Sequence, residues 1–145
     1  MVERRILLRL LAAGAAVVLM ASTGLTAQTS RFASEGVYTT QQADRGEREF
    51  GRSCEHCHGK ELEGDGGREV PALVGDAFLG KWRGRPVKEL YELLRQSMPA
   101  DNRGKLSARS YTELVAFLLK TNGFPDGATE LPAADALEGL VIGAP

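Results

Sequence analysis

The sequence predicts an all-α domain. Three stretches carry apolar residues at helical spacing with capping residues at their ends, and no stretch alternates apolar and polar residues as a half-buried strand would. Both cysteines and both histidines of the 145-residue chain fall in one run, Cys54-Glu55-His56-Cys57-His58. Two thiols three positions apart, followed at once by an imidazole, are the arrangement that attaches haem covalently. Each thiol forms a thioether with one vinyl group, and His58 ligates iron. A C-x-x-C pair also occurs in zinc sites and thioredoxin-like dithiols. The zinc reading needs a second Cys or His pair, which the sequence lacks. The dithiol needs a βαβ context, whereas the residues ahead of Cys54 read as helix.

Residues 1–27 have the form of an export signal. Arg4, Arg5 and Arg9 make a basic start, Leu10 to Ala21 carries no charge, and Ser22 to Ala27 is largely small. The apolar run is short of the roughly 20 residues that a membrane span needs. Cleavage is expected after Ala27, by the general secretory route; cleavage after Gly24 and retention as an N-terminal anchor are the alternatives. From Gln28 onward 15 Lys plus Arg face 18 Asp plus Glu, a balance that argues against a nucleic-acid binder.

Residues 28–38 read as a short polar lead-in without periodicity. The first helix is expected from Thr39, where Thr39-x-x-Gln42 fits a capping box and Ala43, Gly46 and Phe50 share a face. Gly46 inside a helix wants a packing reason, and close approach of another helix would be one. Gly59 to Gly80 holds six glycines with Asp65 and Pro71, and reads as a loop around a ligand. Pro86 opens a helix with Val87, Leu90, Tyr91 and Leu94 on one face, ended at Gln96-Ser97-Met98-Pro99. Ser107 caps a third helix with Tyr111, Leu114, Val115 and Leu118, stopped by Asn122-Gly123. The boundaries are then a domain over 39–124 and a C-terminal extension over 125–145, expected extended, partly packed and partly loose.

Taken in order, Gly46 and Phe50, the Cys54 to His58 run, Pro71-Ala72-Leu73-Val74-Gly75, Trp82, Met98-Pro99 and Leu114 to Leu118 resemble a small class I cytochrome c, over about Tyr38 to Leu131. The resemblance implies the class I cytochrome c fold, with three or more helices around one covalently attached haem c. It implies a second axial ligand at Met98, and a carbonyl at Pro71 that bonds His58 and orients it. Met98 is the only methionine beyond the export segment and follows a helix 40 residues past His58, far enough to reach the other haem face. Trp82 is either an ordinary core aromatic or a haem contact. A narrower similarity, in Thr39, Gln42, Trp82 and Asn122-Gly123-Phe124-Pro125, is to periplasmic monohaem cytochromes, some of which accept electrons from quinoprotein dehydrogenases.

With His58 and Met98 on iron no coordination position is open, which argues for one-electron transfer rather than an enzyme. The expected protein is a periplasmic monohaem c-type cytochrome carrying single electrons from a dehydrogenase or other redox donor, or serving as such an enzyme's electron-accepting subunit. Its acceptor would be a terminal oxidase or another cytochrome. Nucleic acid is not expected as a partner, and membrane association would follow only from a retained N-terminal segment. A five-coordinate haem sensor or peroxidase, with Met98 in the core, is the competing class. Lys81 to Arg109 holds eight bases against three acids, while the flanking segments are acidic. A basic surface near the haem edge, meeting an acidic patch on the partner, is the further expectation.

Overall fold

The computed structural model describes residues 31–66 and 69–144, so the expected export segment lies outside the described residues. Five helices carry the fold: α1 (Thr40–Ser53), α2 (Glu55–His58), α3 (Gly75–Trp82), α4 (Val87–Ser97) and α5 (Ala108–Thr121). Thr39 is extended at the N-cap of α1 and its hydroxyl oxygen accepts the Gln42 N–H at 3.2 Å. The reciprocal half of the capping box is not made. Gln42 is buried instead against the Leu131 backbone, its Nε2 donating to the carbonyl at 3.1 Å and its Oε1 accepting the N–H at 2.7 Å. Ser107 caps α5 by accepting the Ser110 N–H at 3.0 Å, and Gly123 closes it at φ 81°.

The main helix pair is α1 on α5. A Cβ on Gly46 would collide with the Glu113 carbonyl and with Phe117, so glycine lets the two backbones meet. One turn further, Phe50 and Phe117 pack with ring centroids 5.4 Å apart. Helix α4 lies on the other side of α5, with Tyr91 edge-on to Tyr111 at 6.2 Å. Leu90 and Leu94 of α4 and Leu114 and Leu118 of α5 are buried, each stabilising the fold by about 1.5–3 kcal/mol.

Two expectations need correction. The glycine-rich middle is not all loop, because Gly75–Trp82 forms α3 and buries Phe78 and Trp82 one turn apart. The lead-in is not merely polar, and part of the extension packs against it. Strand β1 (Arg31–Phe32) pairs in parallel with β2 (Leu140–Val141), and Ala33, Val37 and Tyr38 are buried together with Leu131, Leu137, Leu140 and Ile142 in the core. These apolar residues are too scattered along the chain to show a period; they reach the core by pairing segments a hundred residues apart. The extension also ties down the turn between α3 and α4: the Gly84 N–H donates to the Ile142 carbonyl at 2.7 Å and the Ile142 N–H to the Arg85 carbonyl at 2.9 Å.

Candidate haem site

A cavity of about 390 Å³, within the usual range for small-ligand sites, opens between these elements. Its lining includes Phe50, Cys54, His58, Trp82, Met98 and Leu114, and most of its other walls are apolar. The end of α1 and the single turn of α2 bring the thiols and the imidazole to one side. Cys54 is half-buried and Cys57 exposed, both as free thiols. Burial pushes the Cys54 thiol up to about 11, with Glu49 and Cys57 adding to the shift, so it stays protonated at neutral pH.

His58 is buried, and its Nδ1 lies 3.2 Å from the Pro71 carbonyl oxygen. A carbonyl can only accept, so Nδ1 carries the proton and the lone pair is on Nε2. Burial holds this imidazole below the usual histidine range; the Pro71 carbonyl opposes that shift and His56 adds to it. A neutral ring with its proton held at Nδ1 is the state that binds a metal through the other nitrogen.

Met98 is the C-cap of α4 and lines the same cavity, half-buried. Its N–H donates to the Leu94 carbonyl at 2.9 Å, and its carbonyl accepts the Tyr111 hydroxyl at 2.8 Å. Trp82 is buried on the cavity wall against Phe78, with the Lys81 ammonium 5.2 Å and the Arg85 guanidinium 4.9 Å from its ring centroid. Thiols, a neutral imidazole and a thioether around one apolar cavity fit a haem attached at Cys54 and Cys57. Among the described residues no three His, Cys, Asp or Glu side chains converge as a structural zinc site would need.

Sequence reasoning missed two side chains at this site. In the sequence Tyr111 stands only as part of an apolar stripe, but its hydroxyl donates to the Met98 carbonyl. Asn122 stands only as a helix stop, yet its Nδ2 donates to the Leu73 carbonyl at 2.9 Å and its Oδ1 accepts the Gly75 N–H at 3.0 Å. Neither partner is encoded locally; the polar atom at the edge of an apolar face was the one signal.

No curated protein matches the chain. Among solved structures, the sulfane dehydrogenase SoxCD from Paracoccus pantotrophus is similar at 23% identity and a TM-score of 0.46, over 65% of this chain and 55% of that one. The chain therefore spans about half the length of that relative. Residues 41–118, more than half of the sequence, match the family described as Cytochrome C oxidase, cbb3-type, subunit III. That match covers α1, the Cys54 to His58 turn, Met98 and most of α5, and with it the chain belongs to this family of class I c-type cytochromes, haem proteins of electron transfer.

Proposed function

We propose that the protein is a periplasmic monohaem cytochrome, carrying single electrons from a redox protein donor to a downstream acceptor, with His58 and Met98 as axial ligands. One haem c per chain would be held by Cys54 and Cys57. The observation that carries this reading is the meeting of the Pro71-bonded His58 and Met98 on one apolar cavity. When bound, the haem iron supplies the chemistry, passing between Fe(III) and Fe(II).

The chain's own residues do the rest. Pro71 holds the His58 proton at Nδ1, which makes Nε2 the donor. Met98 offers a soft thioether, which favours Fe(II), and Phe50, Leu94, Leu114 and Leu118 keep water from the cavity. Residues 1–27 would direct export by the general secretory route and be removed. A dehydrogenase, of the quinoprotein type suggested by the sequence similarity, is the donor we propose, and an oxidase or another cytochrome is the acceptor.

Expression in a host that matures c-type cytochromes tests this directly. The purified protein should gain the mass of one haem, lose residues 1–27, and show a low-spin spectrum in both oxidation states. Met98→Ala should keep the haem attached, turn the iron high-spin or solvent-ligated, and lower the potential. An unchanged low-spin spectrum in that variant would remove Met98 as a ligand; a reduced parent that is already high-spin would instead favour a sensor or peroxidase.

A further inference from the structure

We propose that α5 sets both axial ligands from its two ends, with Tyr111 positioning Met98 and Asn122 positioning the loop that presents Pro71 to His58. The proposal rests on the His58 and Met98 ligation proposed above. The two residues lie eleven positions apart on or beside one helix, on the order of 16 Å along its axis. That separation places one near each of two loops that reach the cavity from different parts of the chain.

At the N-terminal end, Tyr111 is 1% exposed, lines the cavity and packs edge-on against Tyr91. A phenylalanine would fill the same volume and keep the ring contact. Among the described residues the hydroxyl donates to the Met98 carbonyl, at 2.8 Å. Met98 stands at the end of α4, where carbonyls run out of helical partners. The bond therefore holds the backbone that carries the thioether against a helix that is itself anchored on α1.

At the other end, Asn122 spends three bonds. Its Nδ2 donates to the Leu118 carbonyl at 2.8 Å, an ordinary helix-end contact. The same nitrogen donates to the Leu73 carbonyl, and Oδ1 accepts the Gly75 N–H. Capping α5 requires neither of these. They grip the loop two and four residues beyond Pro71, while the Leu73 N–H is held from the far side by the Leu62 carbonyl at 2.8 Å. The Pro71 carbonyl, 3.2 Å from His58 Nδ1, thus sits in a loop that Asn122 holds on its C-terminal side, while the Asp65 N–H holds the Val70 carbonyl just before it at 3.1 Å. Motion of either loop relative to α5 would change one ligand and spare the other.

The test uses the mature ferric holoprotein and imidazole as probe, because imidazole reaches iron only when Met98 leaves. Tyr111→Phe should speed imidazole association about tenfold, the consequence of one lost buried hydrogen bond, and weaken the Fe(III)–methionine charge-transfer band. Asn122→Ala should leave that rate within about twofold of the parent, as expected for a distant independent site. Its reduction potential should rise, since a loosened Pro71 carbonyl makes His58 a less basic donor and favours Fe(II). Asn122→Ser is the milder variant if the alanine does not fold. Unchanged imidazole entry in Tyr111→Phe, an unmoved or lowered potential in the Asn122 variant, or equal acceleration in both would each overturn the proposal. Met98→Ala is the control. If imidazole enters it no faster than the parent, the ligand assignment fails and the proposal falls with it; if it enters faster, any failure belongs to the positioning alone.

Discussion

Tyr38, just ahead of α1, packs against the segment that follows α5, 1% exposed, with its hydroxyl donating to the Phe124 carbonyl. Burial, reinforced by the nearby Asp126 carboxylate, pushes its hydroxyl up from 10.0 to about 12. The unfolded chain would therefore lose this proton before the folded one does. The stability that Tyr38 contributes is full below pH 10 and drains away as pH rises toward 12. Thermal melts across that window should show a loss in the parent that is smaller in Tyr38→Phe; identical slopes would mean that lysines and the other tyrosines dominate. Cys54 and Cys57 allow a second check at this scale. The double alanine variant leaves no thioether, so acidified organic solvent should extract all haem, and haem retained covalently would remove the attachment assignment.

Helix α1 is tied down by two different neighbours along one side. Gly46→Ala pushes a methyl into the Glu113 carbonyl of α5, and we expect a loss of about 2 kcal/mol or more in urea unfolding. Gln42→Ala acts on a second neighbour, leaving the Leu131 N–H and carbonyl without their partner. A cost of about 1–3 kcal/mol follows, concentrated in the extension, so limited proteolysis should cut near Leu131 before the helices open. The caps at Thr39 and Ser107 and the Gly46 face were legible in the sequence because each is decided within a few residues. Helix α3 was hidden by the glycines that bound and interrupt it, although Phe78 and Trp82 stand at helical spacing. The packed ends were hidden because Ala33, Tyr38, Leu137 and Ile142 acquire neighbours only in the folded chain. At the site, the Cys54 to His58 motif is complete within five residues, whereas the Tyr111 and Asn122 bonds span 13 and 49 residues and have no local signature.

On the scale of the whole molecule the distribution of charge decides how the protein would meet a partner. The basic segment from Lys81 to Arg109 flanks the cavity, but its charges are not equally available. Arg85 pairs with Glu89, Arg95 with Glu92 and Arg109 with Glu113, and Lys88 is held by Glu138 of the C-terminal extension. Lys88 is therefore a poor probe of docking, since reversing it would first repel the extension. Arg103 and Lys105 are different. They stand exposed on the loop between Met98 and α5, whose Pro99, Asp101 and Leu106 line the cavity. Electron-transfer encounters are small and transient, and complementary charge mainly raises their on-rate. With an acidic partner, reduction should slow as salt rises, because the Debye length falls from about 10 Å at 0.1 M to about 3 Å at 1 M. Reversing Arg103 and Lys105 to glutamate should slow reduction at low salt, converge with the parent at high salt, and leave the potential nearly unchanged because neither side chain touches the cavity wall. Stopped-flow reduction by the donor measures all three. A rate indifferent to salt and to both reversals would mean that apolar contact around the cavity mouth, rather than charge, brings the two proteins together.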